Sequence, residues 1–167
     1  ATDPGITTVT IKPKLATRSG SDLSNSSSIA ALSANTEKTY TLKQFDVLNL
    51  MQSSSGESTG ATIHADKKIG VFSGAGCQAI NSGCDHLEEQ MFPLQSWGKN
   101  YDAVRTSNIG SELNWYYILA QTDSTTVTIA GNNNATTTST ISLKAYSGGT
   151  TSEQEFTEIS TLNKFKG

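Results

Sequence analysis

The sequence predicts an all-β, antiparallel fold of about eight to ten short strands, arranged as a sandwich or as propeller-like blades. Composition is the first reason, because only 16% of the 167 residues are charged and many others are Ser, Thr, Asn and Gly, which suit strands and turns. Short β-branched runs bounded by turn residues are the second. The third is a Thr-Thr-Val-Thr-Ile run that occurs at residues 7–11 and again at 125–129.

A Thr-Asp pair stands upstream of each copy of this run, at Thr2-Asp3 and at Thr122-Asp123. Because Asp forms turns, the same turn-then-strand unit is predicted twice. Such a repeat indicates a module that recurs in a longer parent protein or packs against copies of itself. We therefore predict one β-rich, repeat-like domain at residues 1–148, followed by a tail or the start of another repeat at 149–167. Apolar residues three apart in that tail predict a short amphipathic helix or a strand: Phe156, Ile159, Leu162 and Phe165.

Further strands are predicted between and after the two runs from alternation and flanking turn residues. They lie at residues 39–42, 45–51, 60–65, 69–73, 100–104, 113–120 and 141–145. Residues 60–73 are predicted to form one hairpin around a tight turn at 66–68. A single helical turn is predicted at 85–91, because Asp85 and Glu88 resemble a capping box.

Charge and hydropathy narrow the classes of partner. A net charge of −3 and a pI near 5.3 give no basic excess, so we expect no nucleic-acid partner. No apolar run approaches the roughly 20 residues that span a bilayer, so we expect no membrane insertion. The first residues lack the basic and apolar regions of a signal peptide.

Reactive residue types are concentrated at residues 71–99, which contain both cysteines. A disulfide between Cys77 and Cys84 would close a small loop and contribute about 2.5 kcal/mol by loop entropy. Zinc held by Cys77, Cys84, His86 and a carboxylate is the alternative, but zinc sites favour cysteines two to four residues apart. The spacing therefore favours the disulfide, which in turn indicates an oxidising, extracellular compartment.

Catalytic interpretations of this segment are weaker. A Cys77–His86 pair would lose its nucleophile to the disulfide. Asp85, Glu88 and Glu89 could supply a glycosidase-like pair, although carboxylates so close in sequence are more often a helix cap and a solvated face. The glycines at 74 and 76 match no phosphate-binding loop and are interpreted as backbone freedom at a sharp exit from a strand. We expect no catalytic residue, no metal and no cofactor.

The same segment resembles the IgG Fc-binding-protein N-terminal domain family. Val-Phe-Ser-Gly at residues 71–74 precedes Cys77, and Cys-Asp-His-Leu-Glu-Glu-Gln at 84–90 is followed by Pro93 and by Trp-Gly-Lys at 97–99. The resemblance extends from about residue 39 to 130, with Lys68 standing where the family usually has proline. It implies a secreted, β-rich adhesive or recognition module with its two cysteines paired, of a bacterial surface or adhesin type.

We therefore expect a non-catalytic extracellular or cell-surface domain that binds a glycoprotein or a carbohydrate, at the tip of a surface fibre or adhesin. The candidate ligand-binding residues are Asp85, His86, Glu88, Glu89, Gln90, Trp97 and Lys99. A homo-oligomer, for instance a trimer, would cover unpaired strand edges at the ends of the repeat. Two alternatives remain: a purely structural self-associating module, and a glycan-acting hydrolase that uses the three carboxylates.

Overall fold

The structure is a computed structural model that describes residues 1–56, 58–80, 83–102, 116–122, 124–130, 138–143 and 156–159. These residues contain eleven strands and one 3-10 turn. The strands are β1 (Ile6–Lys12), β2 (Gly20–Ser21), β3 (Ser28–Ile29), β4 (Lys38–Lys43), β5 (Thr62–Ala65), β6 (Phe72–Ile80), β7 (Gly83–Gln90), β8 (Tyr116–Leu119), β9 (Thr125–Ala130), β10 (Thr138–Leu143) and β11 (Phe156–Ile159). The turn is Leu94–Ser96. No helix in these ranges is long and apolar enough to cross a membrane.

The chain divides into two compact units. The first comprises residues 1–57 and 61–99, and the second comprises 58–60 and 100–167. Among the described strands every pair is antiparallel, in one three-stranded sheet of order β4-β1-β5 and four two-stranded sheets. The predicted all-β, antiparallel class is therefore confirmed. Within the described ranges, neither unit contains a closed barrel or propeller.

Strand β1 provides the centre of the first unit. Its side chains alternate between exposed and covered, with Thr7, Val9 and Ile11 buried on one face. This is the period of two that the Thr-Thr-Val-Thr-Ile run predicts, because successive side chains of a strand point to opposite faces. Leu32 joins the same set of buried residues, and its backbone N–H donates to Oγ1 of the buried Thr17 at 2.9 Å.

The segment at 66–68 is not the turn of a hairpin, so the prediction for residues 60–73 is wrong. Strand β5 pairs with β1 rather than with β6. Asp66 Oδ1 accepts the backbone N–H of Thr8 at 2.8 Å, and Lys67 Nζ donates to the carbonyl of Pro4 at 3.2 Å. These contacts hold residues 66–67 against the N-terminal segment. Long-range pairing with β1 therefore determines the conformation here, rather than a local turn.

The strand predicted at 45–51 is absent, because the chain turns immediately after β4. Asp46 Oδ2 accepts the N–H of Lys43 at 2.8 Å, and the N–H of Asp46 donates to the carbonyl of Lys43 at 3.1 Å. Phe45 has a positive φ of 68°, a conformation incompatible with an extended strand. The aspartate thus stops the strand in spite of the alternating residues that follow it.

The helical turn predicted at 85–91 is also wrong, because these residues belong to β7. Pairing with β6 over most of its length determines their conformation, and it prevails over a local capping pattern. The glycines at 74 and 76 lie within β6 rather than at its exit, so that interpretation is wrong as well. The one short helical element follows the hairpin, at Leu94–Ser96.

In the second unit, β9 pairs with β10 and β8 pairs with β11. Residues 156–159 form a strand, which agrees with the strand alternative for this segment, whereas Leu162 and Phe165 lie outside the described residues. The predicted strand at 100–104 is not formed at 100–102, and its other two residues lie outside the described ranges. The domain boundary at residue 148 stays a prediction.

Candidate functional site

The candidate site is the hairpin formed by β6 and β7. Cys77 and Cys84 form a disulfide with an S–S distance of 2.04 Å, which confirms the pairing predicted from the spacing. The bond occupies both sulfur atoms, so neither can serve as a zinc thiolate or as a free nucleophile. Both alternatives that needed these thiolates are therefore removed.

An irregularity interrupts the hairpin ladder opposite His86. Phe72 to Ala75 pair with Gln90 to Leu87, and the register then shifts before Gln78 pairs with Asp85. Two residues of β6 thus oppose His86, which is the pattern of a β-bulge. The backbone N–H of His86 donates to Oδ1 of Asp85 at 2.7 Å. Asp85 therefore satisfies a backbone group at the point where the ladder is broken.

Strand alternation divides the predicted ligand-binding residues of β7 between two faces. One face, here called the disulfide face, carries Cys84, His86, Glu88 and Gln90. The other, here called the Leu87 face, carries Asp85, Leu87 and Glu89. Every residue of β7 is exposed. Both faces of this strand are therefore open to solvent, unlike a strand whose one side covers a core.

On the disulfide face, His86 Nε2 lies 3.4 Å from Oε2 of Glu88, and the two side chains are each 63% exposed. Gly74 lies directly opposite Glu88 and presents no side chain beside it. A Cβ atom on Gly74 would lie 2.7 Å from the carbonyl oxygen of Leu87, so the two backbones approach too closely for any other residue. The glycine thus permits close strand contact and leaves the imidazole–carboxylate pair accessible.

Exposed apolar side chains, which were not among the residues predicted from the sequence, accompany these polar groups. Phe72 lies opposite Gln90 and is 65% exposed, and Leu87 is 49% exposed. Phe92, just after the hairpin, is 74% exposed. For Phe92 the signal in the sequence was the short run of large apolar residues around Pro93, which lies outside any alternating pattern.

Trp97 and Lys99 lie beyond the hairpin, after the 3-10 turn. Trp97 is half-buried, and its backbone N–H donates to the carbonyl of Leu94 at 3.1 Å. Lys99 is exposed. The structure therefore places five of the seven predicted residues on one strand and the other two on the segment that follows it.

The three carboxylates of β7 do not form a catalytic pair across a cleft. Strand alternation places Glu88 on the opposite face from Asp85 and Glu89, and the backbone positions of Asp85 and Glu89 are about 13 Å apart along the strand. Glycosidases instead hold two carboxylates facing each other at roughly 5 to 9.5 Å. Nor do the described residues contain a group of three or more His, Cys, Asp or Glu side chains arranged to hold a metal ion.

Comparison with known proteins places the chain in a family. The family model described as IgGFc binding protein matches residues 1–161. A human protein named IgGFc-binding protein is 33% identical over 61 residues, which are 36% of this chain and 1% of the human protein. The chain therefore spans only a small fraction of that relative. No solved structure matches. Since the family model covers nearly the whole sequence, the chain belongs to the IgGFc-binding protein family.

Proposed function

We propose that this chain is an extracellular, non-catalytic recognition domain that binds a glycoprotein through the disulfide face of the β6–β7 hairpin. The observation that carries the proposal is a covalently closed hairpin whose β7 strand is exposed along its whole length. Family membership supports the class of function, because the matched family and the human relative are named for binding the Fc region of IgG, which is a glycoprotein.

The disulfide stabilises the hairpin, whose β7 strand does not pack on a hydrophobic core. An isolated two-stranded hairpin is only marginally stable in water, because it buries little apolar surface. The Cys77–Cys84 bond compensates by restricting the unfolded chain. A strand that is held in this way and exposed on both faces is available for contact, and exposed residues on a fixed scaffold are where binding groups concentrate.

The disulfide face combines three kinds of contact. The carboxylate of Glu88 accepts hydrogen bonds from hydroxyl, amide or guanidinium groups, and the imidazole of His86 can donate or accept. Phe72 adds an exposed aromatic surface opposite Gln90. Aromatic groups beside a few polar ones are typical of interface centres. With Asp85 and Glu89 on the other face, the hairpin presents negative charge, so association with a positively charged partner surface should weaken as salt rises.

The extracellular location follows from the same bond. Disulfides persist in oxidising compartments and are rare in the reducing cytosol. Within this proposal, the chain belongs to a bacterial surface protein or adhesin and presents the hairpin at the end of a surface fibre. The carbohydrate of the bound glycoprotein would contact Glu88 and His86, while Trp97 and Lys99 extend the contact beyond the hairpin.

The proposal is tested by biolayer interferometry with human IgG Fc as the probe, in its native form and after enzymatic removal of its glycans. We expect saturable binding that Glu88→Gln and His86→Gln each weaken by about tenfold, the loss of one charge-assisted hydrogen bond. The matched control is Glu89→Gln on the Leu87 face, which should change affinity by less than about twofold.

Equal losses from Glu88→Gln and Glu89→Gln would show that charge alone, and not the disulfide face, governs binding. Absence of saturable binding to native Fc would overturn the glycoprotein assignment. Binding that survives removal of the glycans would retain the glycoprotein but overturn the proposed contact with its carbohydrate.

A second candidate function is self-association as a structural module. The observation in its favour is the exposure of Phe72 (65%), Leu87 (49%) and Phe92 (74%), since exposed apolar groups mark interaction surfaces. A closed trimer would cover such surfaces and unpaired strand edges together. Analytical ultracentrifugation should then show a trimer that Phe92→Ser dissociates. A monomer at the highest soluble concentration would eliminate this candidate.

A further inference from the structure

The two Thr-Thr-Val-Thr-Ile runs begin strand pairs with the same register. In the first unit, Thr7 lies opposite Leu42 in the β1–β4 pair. In the second unit, Thr125 lies opposite Leu143 in the β9–β10 pair. Each leucine is followed by a lysine in the sequence. The sequence repeat is therefore also a repeat of strand pairing.

The two copies share the same pattern of buried and exposed residues, and each strand begins just after a residue with positive φ. Thr7 and Val9 are buried and Thr8 is exposed in β1, while Thr125 and Val127 are half-buried and Thr126 is exposed in β9. A residue with positive φ directly precedes each strand: Gly5 at 82° before β1 and Ser124 at 57° before β9. The two strands thus present equivalent faces, although the positive-φ residue stands two positions before Thr7 in the first copy and one position before Thr125 in the second.

The copies differ at the second edge of the repeated strand. β1 is central, with β4 on one edge and β5 on the other. Within the described residues, β9 has a partner on one edge only, namely β10. Thr128 is exposed, whereas the equivalent Thr10 is half-buried. Among the described residues, β9 and β10 of the second copy thus match β1 and β4 of the first, and no described strand corresponds to β5.

The register and hydrogen bonds between β5 and β1 define how an equivalent strand would pair with β9. Thr10 lies opposite His64, and Ile11 opposite Ile63. Thr8 N–H donates to Asp66 Oδ1 at 2.8 Å, and Asp66 N–H donates to the Thr8 carbonyl at 3.2 Å. Because backbone groups alternate between the edges of a strand, Thr8, Thr10 and Lys12 direct theirs toward β5.

We propose that the second edge of β9 is a docking site for an antiparallel strand of the β5 type, contributed by a neighbouring repeat. The sequence of a β5-type strand is Thr-Ile-His-Ala followed by Asp, as at residues 62–66. In the register of the first copy, His64 of that strand type lies opposite Thr128, and its aspartate accepts the N–H of Thr126. A strand edge is a template for another strand, and β5 is the strand that the first copy uses at this edge.

A synthetic peptide with the sequence of residues 61–68 and photo-leucine at the Ile63 position provides the direct test on the full chain. We expect saturable binding and, after irradiation, cross-links within residues 125–130. Cross-links within residues 7–12 would show exchange with the native β5 instead. That result, or the absence of saturable binding, would overturn the proposal. The inference does not depend on glycoprotein binding.

Two backbone-methylated peptides provide a matched pair for the register. In the proposed pairing, the N–H of the peptide's His64 points toward β9 and the N–H of its Ile63 points away from β9. The same alternation occurs where β5 pairs with β1. Unlabelled peptide with N-methyl at His64 should compete about tenfold less well than unmodified peptide, and N-methyl at Ile63 should compete nearly as well. Equal weakening by both would overturn the proposed register.

A substitution in the protein, rather than in the peptide, tests the same edge of β9. Thr128→Pro removes the backbone donor that faces the second edge of β9, while Thr128→Val keeps it. Peptide binding should be lost in the first and kept in the second. Binding that persists in Thr128→Pro would contradict the assignment. Should Thr128→Pro fail to fold, the methylated peptides still decide the question, because they leave the protein unchanged.

Discussion

Cys77 is bonded to Cys84 although the two residues are not opposite each other in the hairpin ladder. Cys84 lies opposite Ala79, and Cys77 lies in the irregularity between Ala75 and Gln78. Their Cα atoms are 5.1 Å apart, within the range that a disulfide spans. The bond therefore crosses the ladder diagonally, on the face that also carries His86. Bulge, disulfide and imidazole form one local unit.

Loss of the disulfide is expected to disorder the hairpin selectively. The chain-entropy relation for this short loop gives a contribution of about 2.5 kcal/mol, which is large for a hairpin whose β7 strand is exposed along its whole length. After the double substitution Cys77→Ser and Cys84→Ser, hydrogen exchange should accelerate across residues 72–90 while β1 and β4 keep their protection. Unchanged protection of the hairpin would show that packing, not the bond, holds it.

Gly74→Ala should destabilise the hairpin by about 1 to 3 kcal/mol, because the new methyl group would meet the carbonyl oxygen of Leu87 at 2.7 Å. Gly76→Ala is the matched control, since a Cβ there has no heavy atom within 4 Å. The free energy of unfolding from chemical denaturation measures both. Equal effects at the two positions would contradict the close approach at Gly74.

Thr7→Val should raise the free energy of unfolding by about 1 kcal/mol. Thr7 is fully buried at 0% exposure, and its hydroxyl has no hydrogen-bond partner among the described residues. Removing an unsatisfied buried hydroxyl recovers its desolvation penalty. In the second copy, Thr125 Oγ1 donates to the Thr122 carbonyl, so Thr125→Val should instead lower stability. Denaturation midpoints that move in the same direction would contradict this difference.

Stability should fall at alkaline pH partly through Tyr40. Burial raises the pKa of Tyr40 above its ordinary value of 10.0. The folded state therefore holds this proton more tightly than the unfolded state. The contribution is complete below about pH 10 and is lost as the pH rises through the folded pKa. Unfolding measured at about pH 8 and pH 11 should show a smaller alkaline loss in Tyr40→Phe than in the wild type. Identical losses would mean that Tyr40 does not titrate differently on folding.

The sequence predicted those parts of the fold in which local pattern and tertiary pairing agree. Alternation in β1 was predicted correctly because one face of this strand is buried and the other exposed. The disulfide was predicted from the number and spacing of the cysteines, and the structure confirms it. Repetition of residues 7–11 at 125–129 predicted two equivalent strands, and both are formed.

Predictions failed where a distant contact or a single side chain decided the conformation. A capping pattern at Asp85 and Glu88 could not reveal that β6 pairs with this segment. Likewise, the pairing of β5 with β1 joins residues far apart in sequence, so local turn residues suggested the wrong hairpin. At Asp46, two hydrogen bonds back to Lys43 end β4, whereas alternation alone predicted another strand. The face that each candidate ligand-binding residue occupies depends on β7 being a strand, which the capping pattern did not predict.

Hydrogen exchange of the full chain with and without human IgG Fc tests the role of the hairpin most directly. If the disulfide face is the binding surface, residues 83–90 should become more protected in the complex. Glu88→Gln should reduce that protection at equal Fc concentration, and Glu89→Gln should leave it intact. Protection confined to β1, β4 and β5, or no change in exchange at any Fc concentration, would contradict the proposed binding surface.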